Sequence, residues 1–473
     1  MKRIPVIGLE VHVVLNTTSK MFCSCRAAAG GEVNTRVCPV CLGHPGTLPA
    51  PNGAAVRQGI LAAQSLNCRI NSVSAFDRKN YSYPDLPKGY QVTQYFLPLA
   101  QGGYLEYIHN GDKRRLEVDH LHLEEDTGKS MNHDGTLHVD FNRAGIPLAE
   151  IVFAPVLHCP QEAKAAMEAL HELLVWCGVT EGKMEEGHLR IDANLSLATP
   201  DNLLGGSRVE LKNLNSFRVM ELALAYEIAR QGELLAVGQA VLRQARRWSE
   251  GQQVTEAMRV KETAGDYSYF PDPDLPRLQL DPGLVADVAR ELPEPPLAAR
   301  QRLQGTWGLD QYMAGLITAN RELLAWFEAA VNTGADPGVA ANWLVGDVAR
   351  YLKDSRQSIG QVSLSPLDFS RLLRMVDQGF LSNTAAKSVL RELMAQGGHA
   401  EQIAEGMGLL QLNDNLEIQK LVATVLADHP GAVADYKAGK DRALGFLVGQ
   451  VMKLSQGRAN PELVSEELLT RLN

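Results

Sequence analysis

The chain is 473 residues long and 45% hydrophobic, with a formal net charge of −9. That length carries roughly two to four domains with ample core, and the acidic balance excludes a protein that grips nucleic acid through bulk positive charge. No apolar run is long enough to span a bilayer, and Met1-Lys2-Arg3-Ile4-Pro5 lacks the apolar core of a secretion signal, so a cytosolic chain with reduced cysteines and no membrane contact is expected.

The first element is an alternating run. Ile7, Leu9, Val11 and Val13 are apolar, with Gly8, Glu10 and His12 between them, the period of a strand with one face in the core. Cys23-x-Cys25 and Cys38-x-x-Cys41 follow, with twelve residues between Cys25 and Cys38. Two close pairs around a short loop can set four thiolates at the corners of a tetrahedron, and a zinc closed by four cysteines is structural. The other reading is four reduced thiols without metal; the pairing and the compartment favour zinc. Cys68, Cys159 and Cys177 stand alone and read as small buried hydrophobes. Asn52 is expected to cap a helix running through Cys68. From Asp77 to Gln91 the chain interleaves Tyr81, Tyr83 and Tyr90 with Arg78, Lys79 and Lys88. This reads as a functional loop whose tyrosines could stack bases while the cations hold phosphates, or as an ordinary surface loop.

Gly128-Lys129-Ser130 imitates the end of a P-loop, but Leu123 stands where that motif needs its first glycine, so the imitation is rejected. His120, His122 and Glu124 alternate with Leu121 and Leu123, and His138, Asp140 and Asn142 with Leu137, Val139 and Phe141. Pro160 starts a helix that Gly178 stops. His188, Arg190, Asp192, Asn194 and Ser196 again alternate with apolar residues, as do Arg208, Glu210 and Lys212. Ser216 opens a helix to about Gly232. The stretches 239–261 and 431–461 are locally basic, which more often means a solvated face than an RNA contact.

A face carrying His, Asp, Glu, Asn and Arg on strand after strand predicts a polar cavity floored by a large antiparallel or mixed sheet. Glu10, His12, Glu124, Glu125, Glu150, Asp192 and Glu210 come from separate strands or strand ends. Carboxylates crowded on one surface repel unless a cation neutralises them. Mg²⁺ takes few protein oxygens and completes its shell with water and phosphate, which suits phosphoryl transfer from ATP. Spacing alone leaves equally open that these acids pair with Arg143, Arg190 and Arg208. Glu291-Leu-Pro-Glu-Pro-Pro296 reads as a boundary, and Gly397-Gly398 with Gly406-Met-Gly408 as a second. The expected fold is α+β: a sheet-based catalytic cradle with flanking helices and a zinc knuckle over 1–292, then an all-α tail in two parts, 297–405 and 406–473.

Longer motifs carry a resemblance. Gly8-Leu-Glu-Val-His12, the cysteine pairs, Arg78-Lys-Asn-Tyr81, Tyr83-Pro-Asp-Leu-Pro-Lys-Gly-Tyr-Gln91, His122-Leu-Glu-Glu-Asp126, Asn142-Arg-Ala-Gly-Ile-Pro-Leu148, Arg190-Ile-Asp-Ala-Asn194, Glu210-Leu-Lys-Asn-Leu-Asn-Ser-Phe217 and Gly445-Phe-Leu-Val-Gly-Gln-Val-Met-Lys453 resemble the B subunits of bacterial tRNA-dependent amidotransferases over nearly the whole chain. The resemblance implies a ligase that uses Mg-ATP to phosphorylate the side-chain carboxylate of Glu-tRNA(Gln) or Asp-tRNA(Asn). Ammonia from a partner amidase then displaces the phosphate. The implied partners are tRNA, the amidase (the A subunit) and a third, small chain (the C subunit), with a non-discriminating aminoacyl-tRNA synthetase as a further one. By motif the resemblance makes Glu10, His12, Glu124, Glu125, Glu150, Asp192 and Glu210 the metal and ammonia-path residues. His12, Glu125 and Glu150 are the expected Mg²⁺ ligands, and Arg78, Lys79, Lys88 and Lys261 the ATP contacts. The chain departs from the family at Ala245, Ser249, Ser82 and Ser268, the last where an arginine is usual, so that Arg259 or Lys261 would compensate. Two other classes compete: a non-catalytic tRNA-binding scaffold and a free-standing metal-dependent kinase or ligase on a small carboxylate.

Overall fold

A computed structural model of the chain describes residues 3–28, 30–199, 206–258, 267–411, 415–455 and 458–472. Arg259 and Lys261 lie outside these residues. The described chain divides into two units, Met1–Leu297 and Ala298–Asn473.

The first unit is organised by one long sheet. Its strand order is Val254–Ala257, Gln244–Ser249, Val209–Leu214, Leu189–Ala198, Ile4–Val14, Pro147–Phe153, Asp112–Glu125, Ala100–Gln101 and Arg69–Ile70, with Tyr104–His109 also paired to Asp112–Glu125. The pairings are antiparallel except Val209–Leu214 with Gln244–Ser249, which is parallel. That parallel step needs a crossover, and the helix Phe217–Ala236 makes it. Ile7, Leu9, Val11, Val13, Leu121, Leu123, Ile191, Ala193 and Leu195 form the buried face. Gly59 in the helix Gly53–Ser65 lets the two meet closely, because a Cβ there would come within 2.7 Å of the Leu123 side chain.

Local signals set the helix starts. Asn52 accepts from the amides of Ala54 and Ala55, and Ser216 accepts from Val219, the expected N-cap geometry. The stops differ from expectation. The first helix ends at Ser65, short of Cys68, and the third runs to Ala236, past Gly232. Two further expectations are corrected. The alternating stretch around His138 and Asp140 is not part of the sheet floor: Lys129–His133 and Thr136–Asp140 form a separate hairpin, with Leu137 half exposed. The segment from Asp77 to Gln91 is not all loop. Asp77–Asn80 and Tyr90–Thr93 pair as strands, and Ser268–Pro271 joins them, a partner nearly 190 residues away that no local pattern reveals.

The second unit is helical, with a turn of wider winding at Leu344–Val348. Within it Ile418, Val422, Val425, Leu447, Val451, Val464 and Leu468 form a core cluster shared by the helices Asn415–Asp428, Arg442–Leu454 and Pro461–Leu472. Lys437, Lys440, Arg442, Lys453 and Arg458 are all exposed around it. No described helix is long and apolar enough to cross a membrane.

One buried polar knot ties the crossover helix to the sheet edge. The fully buried Glu227 carboxylate pairs with Arg230 at 2.5 Å and Arg246 at 3.4 Å, and accepts from the Gln231 amide and the Thr255 hydroxyl, each at 2.9 Å. Removing the carboxylate leaves two guanidinium groups without it. Glu227→Ala is expected to lower unfolding free energy by about 3–5 kcal/mol, read as a shift in the denaturant midpoint of the first unit.

Candidate active site and metal centre

The polar face of the sheet is set by register. His122, Glu150, His12 and Arg190 lie opposite one another in a single row across four strands. In the next row Glu10 lies opposite Asp192, and beyond it Asn194 lies opposite Glu210. His12 Nε2 is 3.4 Å from both Glu124 Oε1 and Glu150 Oε2. Among the described residues, His12, Glu124 and Glu150 each offer a ligand atom within 4.8 Å of the other two. His122 Nε2 stands 3.1 Å from Glu150 Oε2.

Charge is held here at some cost. Burial pulls the His12 imidazole down, but Glu150 and Glu124 outweigh it and hold it up at about 9. Burial also raises Glu124, whereas His12 and His122 overcome burial at Glu150 and hold it well below the usual carboxylate range. Glu10 is raised by burial and by its neighbours Glu150 and Glu210, although the Asn194 amide donates to it at 2.8 Å. A proton on His12 thus serves as counter-charge, and a divalent cation on the triad would take its place. One imidazole and two carboxylates, a small donor set that leaves the rest of the shell to water and phosphate oxygens, fit Mg²⁺ or a similar cation. Beside them Lys212 bridges Asp192 and Glu210 at 2.7 and 2.6 Å.

Glu125 is not brought to the triad. It follows Glu124 on the same strand, so its side chain leaves the other face. There it pairs with Lys88 and accepts from the Val92 amide at 3.0 Å. It lines a separate cavity of about 210 Å³ with Cys23, Cys41, Arg78, Lys88 and Asp274. Arg78 is already engaged by Asp272 at 2.9 Å and Asp274 at 2.8 Å, over the Tyr90 ring. Lys261 lies outside the described residues, and of the expected phosphate contacts among them only Lys79 stays with the acids. It sits over Tyr267 and Tyr81 at 4.9 and 5.9 Å, and the charges of Glu124 and Glu150 help to raise it against the pull of burial. Ser268 opens the strand opposite Asn80, whose amide donates to its carbonyl. Ala245 is buried opposite Glu210. Sequence alone assigns no role to His122, Lys212 or Lys20. The period-two pattern marks the first two; nothing marks Lys20.

Cys23, Cys25, Cys38 and Cys41 offer sulfurs all within 4.8 Å of one another. Crowding splits them. Cys25 is pushed up to about 11, chiefly by burial, while a hydrogen bond from Cys23 and the fully buried Lys20, 3.7 Å away, bring Cys41 down to about 5. The Cys38 amide also points at Cys41 Sγ, at 3.2 Å. A closed zinc centre needs four thiolates within reach of one ion, and donors beside them favour the thiolate form, so four clustered sulfurs with the Cys38 amide and Lys20 beside Cys41 fit zinc.

Residues 5–286 match the GatB/GatE catalytic domain model and residues 325–472 the GatB domain model. The chain belongs to this family. It is similar to the B subunit of the aspartyl/glutamyl-tRNA(Asn/Gln) amidotransferase of Moorella thermoacetica, 48% identical over 99% of each chain. The same name attaches to relatives from Carboxydothermus hydrogenoformans, 44% identical over 99% of this chain and 98% of the other, and Geobacillus thermodenitrificans, 45% identical over the same shares. Both matched regions fall on the units described above, and the acidic row lies within the catalytic-domain match. Cys41→Ser is expected to abolish stoichiometric zinc by elemental analysis of purified protein. It should also lower the melting temperature of the protein, since a structural zinc contributes folding free energy; unchanged zinc content and melting would mean that the cysteines hold no metal.

Proposed function

We propose that the chain is the carboxylate-activating subunit of a glutamine-dependent tRNA amidotransferase, acting in the cytoplasm on Glu-tRNA(Gln), Asp-tRNA(Asn) or both. The reading rests on family membership, and one observation carries its chemistry: the His12, Glu124 and Glu150 triad on a sheet face that also holds Glu10, Asp192 and Glu210. A carboxylate is a poor acyl donor because its oxygen leaves badly. Phosphorylation mends this. The substrate oxygen forms a bond to the γ-phosphorus of ATP and ADP departs. Ammonia then attacks the acyl carbon, phosphate leaves with the bonding electrons, and the nitrogen loses a proton.

Like charges meet in the first step. Mg²⁺ held by His12, Glu124 and Glu150 would supply Lewis-acid neutralisation of the phosphate charge. The protein's own part is to fix the acids in register on a stiff sheet and to place Lys79 and Lys212 beside the anions. The Lys88–Glu125 pair, on the other face and next to the cysteine cluster, lines the path by which ammonia from an amidase partner arrives. Glu125 is thereby assigned to the ammonia path and Glu124 to the metal. Zinc on the four cysteines braces that wall.

Glu150→Gln keeps shape and removes charge. It is expected to cut tRNA-dependent ATP hydrolysis and amide formation by about a hundredfold or more, as loss of several kcal/mol of charge stabilisation implies, even when ammonium is supplied directly. The partner's glutamine hydrolysis should survive at least in part. Amide formation near the wild-type rate in this variant would favour a scaffold whose acids are only structural.

The helical unit serves tRNA. Its supports are the exposed Lys437, Lys440, Arg442, Lys453 and Arg458. Charge reversal at Lys437, Arg442 and Lys453 is expected to weaken tRNA binding and flatten its salt dependence, by about one unit of slope for each phosphate no longer neutralised, measured by filter binding across a salt series. ATP hydrolysis at saturating tRNA should be unchanged.

A further inference from the structure

The polar face carries cations as well as acids, and their partners separate them. Lys212 is held between Asp192 and Glu210. Lys79 lies over two tyrosine rings. Arg190 differs. Its Nη2 donates to the buried Asp126 at 3.0 Å, yet its Nε is buried with no hydrogen-bond partner. Buried guanidinium donors are almost always satisfied, and an orphan on the strand face that carries the candidate metal triad points to an acceptor supplied from outside the chain. Register puts that donor directly beside His12, at the end of the row that runs through Glu150 and His122.

We propose that Arg190 binds the side-chain carboxylate that is to be activated, through its Nε and the second hydrogen of Nη2, with Asp126 holding the fork in place. This rests on the amidotransferase reading above and adds to it the residue that receives the acceptor. The chemistry favours the carboxylate over the nucleotide. A planar carboxylate matches the side edge of a guanidinium with two parallel hydrogen bonds. The phosphates of ATP already have the metal triad, while an anionic acceptor on a face of acids needs a cation of its own. Glu124 and Asp192 lie close enough to raise Arg190 further, the charge of Asp126 being the largest cause, so the guanidinium stays charged throughout.

The test uses the intact complex with misacylated tRNA. Arg190→Gln would leave the buried Asp126 carboxylate with Arg143 alone, so it is paired with Asp126→Asn and with the double variant, in which neither that carboxylate nor the Arg190 guanidinium remains. Arg190→Gln and the double variant should raise KM for the aminoacyl-tRNA on the order of tenfold to a hundredfold, the loss of hydrogen bonds to a charged group. KM for ATP should not move, and Asp126→Asn alone, which keeps the guanidinium but loosens its hold, should raise KM for the aminoacyl-tRNA by less than Arg190→Gln does. Added guanidinium ion should restore part of the activity of Arg190→Ala. An unchanged KM for the aminoacyl-tRNA in the double variant overturns the assignment, and a raised KM for ATP instead would place a phosphate on Arg190 and overturn it equally. Wild-type complex without tRNA-dependent ATP hydrolysis would sink the parent reading, a different outcome from an active wild type with indifferent Arg190 variants.

Discussion

The pairing register of the strand Ile4–Val14 with its two neighbours is the constraint on which the rest depends. Ile7, Leu9, Val11 and Val13 are essentially without solvent exposure, so a slip of one residue would drive Glu10 and His12 into the core. The apolar face therefore fixes the polar face. It places His12 between Glu150 and Arg190 without any direct attraction being needed to bring them together. The acids repel, and the core holds them in spite of it.

The same geometry separates two acidic groups at one strand end. Glu124 and Glu125 are consecutive, yet one meets His12 and the other meets Lys88. A strand is thin enough for adjacent side chains to serve opposite faces. In the proposed chemistry, activation of the carboxylate and delivery of ammonia occur on the two sides of one wall. The cysteine cluster stands behind that wall, with Cys23 and Cys41 lining the same cavity as Glu125. A metal there would act at a distance, by fixing the loop against which Lys88 packs; a Cβ at Gly43 would collide with Lys88.

Several buried carboxylates have a charged counterpart. Glu227 has Arg230 and Arg246, Asp126 has Arg143 and Arg190, and Asp272 has Arg78. Such pairs contribute little net stability but punish the loss of either partner, so they specify the arrangement more than they strengthen it. Against that background the orphan Nε of Arg190 is informative.

Much of this was readable from the chain itself. Period-two alternation marked the strands at 7–13, 120–124, 188–197 and 208–212 and sorted their residues by face, because burial acts on each side chain locally. Asn52 and Ser216 as caps and Pro160 as a first helical residue placed the starts of three helices, and cysteine spacing marked the sulfur cluster, whose four atoms the fold brings together. What the sequence left open was which strands adjoin. Alternation at 137–141 looks like alternation at 120–124, and only packing decides that the first is a solvated hairpin and the second a central strand. The choice of Glu124 over Glu125 beside His12 likewise belongs to the tertiary structure. Both residues are acids at a strand end, and the face each takes depends on register with Pro147–Phe153. Register is a long-range property, summed over every buried contact of the sheet, and no single window of sequence contains it.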